Sequence, residues 1–124
     1  MINGQTAGTV AVIDDDEDVR DVLCALLQSE GHTTEAYESG TEFLRAGGVH
    51  RSTCIIVDQN MPGITGLALL TELAMRGSEV PALLITGDPS IRLSSQAGRI
   101  GAMTVMEKPM PYTAFLNFVS MSAS

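Results

Sequence analysis

The stretch Thr9-Val10-Ala11-Val12-Ile13-Asp14-Asp15-Asp16-Glu17-Asp18 runs from an apolar segment straight into five consecutive acids. A short apolar run bounded by polar residues predicts a buried strand, and this one delivers its carboxylates at the C-terminal end. Cys54-Ile55-Ile56-Val57 repeats the pattern and ends on Asp58. Carboxylates gathered at neighbouring strand ends repel one another and are costly to bury, so the arrangement suits a divalent cation. Two further runs extend it. Ala82-Leu83-Leu84-Ile85 ends on Thr86, and Met103-Thr104-Val105-Met106-Glu107 leads into Lys108-Pro109. Four strand ends thus supply acids, an acid, a hydroxyl and an ammonium, a donor set for handling a phosphoryl group with a hard metal ion.

Helical patterns lie between these runs. Val19, Val22, Leu23, Leu26 and Leu27 recur at helical spacing and predict one apolar face. Asp16 and Asp18 suit the positive start of that helix, and Gly31 its end. A short extended piece follows around Thr33 to Tyr37. Ser39 and Glu42 read as a capping box for a brief helix through Phe43 and Leu44, closed by Gly47-Gly48. Met61-Pro62-Gly63-Ile64-Thr65-Gly66 reads as a loop, and Leu67, Leu69, Leu70 and Leu73 as a helix ending near Arg76-Gly77. Ser90 to Arg99 takes a helix by position, although Ser94, Ser95 and Gly98 form helices poorly. Pro111 suits the first turn of a last helix whose contacts come from Phe115, Leu116, Phe118 and Val119. Ser120 to Ser124 reads as a free tail or the stump of a linker.

Five strands alternating with five helices predict an α/β fold, a parallel sheet with helices on both faces. Unbroken apolar strands agree with a sheet covered on both sides. Ligands in such folds bind beyond the carboxyl ends of the strands, where the acids, Thr86 and Lys108 all fall.

The 124 residues are read as one domain, 1–124, with its core over about 9–120. A net charge of −8 argues against direct nucleic-acid binding by this domain. No apolar stretch approaches a membrane span and Met1 to Gly8 lacks the pattern of a signal peptide, so the expectation is a cytoplasmic protein with no membrane association. Cys24 and Cys54 read as small apolar residues at or near the core, and His32 and His50 as surface residues outside any ligand set.

Asp58 is the candidate nucleophile, since a carboxylate can attack a phosphoryl donor and form an aspartyl phosphate. Asp14 and Asp15 are expected to bind Mg²⁺ together with Asp58 and a backbone carbonyl of the following loop, that of Asn60. Lys108 would cover one phosphoryl oxygen with its charge, and the Thr86 hydroxyl would donate to another. Asn60 and Asp88 border the approach of a hydrolytic water and predict a short-lived phosphoryl group. The competing role for Asp88 is to start the helix that follows.

This set of residues resembles the receiver domain of bacterial two-component response regulators, over about residues 9 to 120. The acidic pair matches Asp14 and Asp15. The phosphoacceptor signature matches Asp58-Gln59-Asn60-Met61-Pro62-Gly63-Ile64-Thr65-Gly66, the hydroxyl position Thr86, and the Lys-Pro pair Lys108-Pro109. The resemblance implies a flavodoxin-like (βα)5 fold with sheet order 2-1-3-4-5 and a cis peptide before Pro109. It further implies Mg²⁺ as cofactor and phosphoryl transfer from the phosphohistidine of a sensor histidine kinase or phosphotransfer protein. Relay through a C-terminal helix-strand-helix face, and a homodimer formed there, are further expectations. Val105 departs from the family pattern, which commonly has Tyr or Phe three residues before the Lys. A ring-flip readout is therefore absent, and backbone and helix shifts must carry more of the signal.

The alternative is a small phosphatase of the haloacid dehalogenase type, using Asp14 as nucleophile and Asp16 as the second acid. The chain is short for that fold, no acid pair follows Lys108, and Asp58 would have no role. Turnover of an external phosphate ester separates the two. A calcium loop beginning at Asp14 fails at Val19 and Ala25, where it needs Gly and Glu.

Overall fold

The computed structural model describes residues 8–88, 90 and 103–123. Strand β1 (Thr9–Ile13) leads to helix α1 (Glu17–Ser29), β2 (Thr33–Tyr37), α2 (Gly40–Arg45) and β3 (Ser52–Asp58). Then come α3 (Gly66–Met75), β4 (Ala82–Thr86), β5 (Met103–Glu107) and α4 (Tyr112–Ala123). The strands form one five-stranded sheet in the order β2-β1-β3-β4-β5, every neighbouring pair parallel. This is the flavodoxin-like order. The expected helix from Ser90 to Arg99 lies outside the described residues beyond Ser90.

Two hydrophobic cores follow from the two-residue period of a strand. Ala11, Ile13, Ile55, Val57, Ala82 and Leu84 face one side, where Phe43 of α2 and Leu69, Leu70 and Leu73 of α3 cover them. Val10, Val12, Cys54, Ile56, Leu83 and Ile85 face the other, under Leu23 and Leu27 of α1 and Phe115 and Val119 of α4. Helices on both faces are thus required. Phe43 and Phe115 are fully buried, and truncating either to Ala removes about 3–5 kcal/mol.

The helix ends behave as their residues dictate. Asp16 caps α1 by accepting the Asp18 and Val19 amides through Oδ1, at 2.9 and 3.3 Å. Gly31 closes that helix with φ +90°, a conformation that suits glycine. The Ser39 hydroxyl accepts the Glu42 amide at 3.0 Å, but Glu42 returns its bond to the Glu38 amide instead of to Ser39.

Three differences from the sequence reading stand out. The apolar face of α1 is only partly buried: Leu23 and Leu27 are in the core, whereas Val19 and Val22 are exposed. Those two valines flank the cleft described below. A 3-10 turn, Gly48–His50, follows Gly47 in place of a plain glycine stop. At the C-terminus, Ser120 to Ala123 continue α4 instead of forming a tail, and Pro111 immediately precedes that helix.

Candidate phosphoryl-transfer site

Register brings the acids together. Ile13 is paired with Val57 across β1 and β3, so Asp14 and Asp58 emerge from adjacent strands at one level. Asp58 is itself paired with Ile85, which puts Thr86 one step further along β4, and Thr86 is paired with Glu107. The Lys108 amide then donates to the Thr86 carbonyl at 2.8 Å, and the Lys108-Pro109 peptide is cis. Asp14, Asp58, Thr86 and Lys108 therefore converge because their strands are parallel and in step.

Asp14 (7 % exposed), Asp58 (5 %) and Thr86 (0 %) are the buried polar residues among those described, while Asp15 is exposed. One carboxylate oxygen from each of Asp14, Asp15 and Asp58 lies within 4.8 Å of the others. The Asp58 carboxylate is divided between two partners. Oδ2 accepts the Asn60 amide at 2.8 Å. Oδ1 lies 2.7 Å from the Lys108 ammonium in an ion pair. A buried carboxylate beside two more carboxylates, with a single ammonium against it, fits a hard divalent cation.

Burial pushes the Asp14 carboxyl above the usual carboxylate range, with the Asp58 charge adding to it and the Asp16 amide opposing. Desolvation outweighs the repulsion between neighbouring carboxylates as the cause. The Lys108 ammonium is raised chiefly by contact with the Asp58 carboxylate. The Thr86 hydroxyl accepts the Asp88 amide at 3.0 Å, leaving its proton for an acceptor outside. Asp88 is committed elsewhere: its Oδ1 takes both the amide and the hydroxyl of Ser90, at 2.9 and 2.8 Å. That geometry favours the helix-starting role over water placement.

Two further residues shape the site, Arg20 without a sequence signal and Gly66 as the last position of the phosphoacceptor signature. Arg20, on the first turns of α1, donates from Nη1 to the Asp14 carbonyl at 2.7 Å and so pins the acidic loop. Gly66 begins α3 so close to the phosphoacceptor strand that a Cβ there would lie 2.6 Å from the Asp58 carbonyl oxygen. Beside the carboxylates a cleft of about 450 Å³ opens between α1 and the start of α4, with Val19, Val22, Met110 and Tyr112 on its apolar side.

A parallel sheet of this order with acids, hydroxyl and lysine at its carboxyl edge defines a phosphoryl-accepting signalling domain. The family model of the response regulator receiver domain matches residues 10–120, and the chain belongs to that family. It is 40% identical over 113 residues to the transcriptional regulatory protein FixJ of Azorhizobium caulinodans, covering 91% of this chain and 54% of that one. To the response regulator protein TmoT of Ectopseudomonas mendocina it is 32% identical over 100 residues, 81% of this chain and 46% of the relative. The chain spans about half the length of these curated relatives. Among solved structures it is similar to chemotaxis protein CheY4 of Vibrio cholerae, with a TM-score of 0.80 and 25% identity, covering 94% of this chain and 99% of that one. It is similar also to the response regulator StyR, with a TM-score of 0.81 and 30% identity, covering 95% of this chain and 60% of that one.

Receiver domains are signalling proteins that work with histidine kinases, and this chain is the phosphoacceptor module of a two-component system. The haloacid dehalogenase reading has no support from these relationships. Among the described residues no helix is long and apolar enough to cross a membrane.

Proposed function

We propose that Asp58 accepts the phosphoryl group from the phosphohistidine of a sensor kinase or phosphotransfer protein. A carboxylate oxygen of Asp58 bonds to phosphorus as the bond from phosphorus to the imidazole nitrogen breaks, the electron pair leaving with the imidazole. Asp14, Asp15, Asp58 and the Asn60 carbonyl would hold Mg²⁺, which when bound neutralises charge on the transferring group. The observation that carries this reading is the buried Asp58 carboxylate, with one oxygen 2.7 Å from the Lys108 ammonium and an oxygen within 4.8 Å of carboxylate oxygens of Asp14 and Asp15. Lys108 supplies a positive charge to the phosphoryl oxygens. Thr86 supplies a hydroxyl proton.

The location we infer is the cytoplasm, where the donor histidine of a kinase is accessible. The signal leaves through the C-terminal face, and a homodimer forms there. Val105 supports this only as a packing element: it is half-buried on β5, paired with Leu84, and has no ring to turn.

Incubation with Mg²⁺ and a small phosphodonor, followed by intact mass, tests the assignment. The parent is expected to gain one phosphoryl group and Asp58→Asn none. An Asp58→Asn protein that still gains it sinks the proposal.

A further inference from the structure

The first amides of a helix have no partner within it. In α3 the Leu67 amide donates to the Gln59 side-chain Oε1 at 2.8 Å, and the Gly66 amide to the Gln59 carbonyl at 3.2 Å. Thr65 accepts the next amide, that of Ala68, through its hydroxyl at 3.2 Å. One residue beside the phosphoacceptor thus takes two of the three. Its own amide continues the sheet, donating to the Ile85 carbonyl at 2.9 Å.

The peptide joining Gln59 to Asn60 is therefore held at both ends. Its carbonyl receives the Gly66 amide, and its N–H donates to Asp58 Oδ2 at 2.8 Å. Loop 60–65 is closed at its base by Gln59 and anchored within by buried Met61. A backbone carbonyl is a useful ligand only when the peptides next to it cannot rotate, because small misplacements are expensive.

We propose that Gln59 is a positioning residue for the Asp58 centre. By accepting the Leu67 amide, its side chain fixes the start of the loop so that the Asp58 carboxylate and the Asn60 carbonyl present one geometry to the cation. This rests on the assignment of Asp58 and Asn60 made above. A plain helix cap would act differently, because α3 already carries Thr65 for that purpose.

The test reads metal binding without phosphoryl transfer. The thermal midpoint is followed against Mg²⁺ concentration for the parent, Gln59→Leu and Gln59→Glu, and the affinity is taken from the linkage curve. Leu removes the acceptor; Glu keeps it at the same reach. Gln59→Leu is expected to bind Mg²⁺ about 10-fold more weakly, as when groups that orient metal ligands are lost. Gln59→Glu, which keeps the acceptor and adds a negative charge near the centre, is expected to bind Mg²⁺ at least as tightly as the parent. A Gln59→Leu protein that melts lower yet keeps the parent's Mg²⁺ affinity overturns the proposal and leaves a cap. Should that variant not fold, Gln59→Ala serves the same comparison. A parent whose midpoint ignores Mg²⁺ overturns the assignment of the centre itself, and the role of Gln59 with it.

Discussion

Lys108 brings its ammonium to 2.7 Å from the Asp58 Oδ1 although the lysine side chain is half exposed. The contact places a monovalent cation on an oxygen that a divalent one would use. Lys108→Met is therefore expected to bind Mg²⁺ more tightly than the parent. It should also accept phosphate more slowly, by about 10²-fold, the usual cost of losing one donor to a developing charge. Metal titration and stopped phosphorylation time courses measure the two separately. A variant in which both fall together contradicts the competition.

Asp14 gives a pH dependence of known sign. Its folded carboxyl titrates above its ordinary value because of burial, so the protonated form is favoured by folding. The stability this contributes is complete below the unfolded value near 3.8 and is lost as pH rises through the folded one. Without metal, Asp14→Asn should melt above the parent at pH 7, and the gap should close as pH falls toward that range. With Mg²⁺ at pH 7 the order should reverse. Thermal melts at a series of pH values decide it, and a gap that ignores pH removes Asp14 as its source.

Glu35 titrates in the opposite direction. Its carboxyl is held low by the Arg51 guanidinium, which it meets at 3.1 Å. The stability it contributes is present at neutral pH and is lost as pH falls below about the ordinary carboxylate range. A Glu35→Gln protein should therefore differ from the parent at pH 7 and converge with it in acid.

The cysteines should separate chemically. Burial pushes the Cys54 thiol up to about 12, leaving almost no thiolate at pH 8. Cys24 is only partly covered. An aromatic disulfide reagent should label Cys24 in the native state and Cys54 only as the chain unfolds. Two fast equivalents would contradict the packing of β3 against α4.

Phosphoryl decay tests the division between Asn60 and Asp88. With its Oδ1 engaged by Ser90, Asp88 is expected to leave decay unchanged in Asp88→Ala, while Asn60→Ala alters it. Following the phosphoform by intact mass over time provides the comparison. A faster or slower Asp88→Ala returns that residue to the path of the water.

Strands β1, β3, β4 and β5 were legible because parallel strands leave largely apolar runs, and the site because each run leads into a polar residue; the strand order came from the resemblance to receiver domains. Helix α1 was legible in type but not in exposure: spacing put Val19 and Val22 on the same apolar face as Leu23 and Leu27, and cannot tell which end of that face overhangs a cleft. Arg20 and Gln59 left no trace for a different reason. Their partners are the Asp14 carbonyl and the Leu67 amide, and every residue has a backbone. The 3-10 turn after Gly47 was equally silent, since paired glycines permit many turns.

Gly66 lies against the Asp58 carbonyl more closely than any side chain permits. The segment between them therefore acts as a buckle with a single hole. Adding or removing one residue would carry the glycine off the contact and push a Cβ into its place. Exposed Pro62 leaves room for a change of side chain, whereas a change in the number of residues between carboxylate and glycine would break the contact.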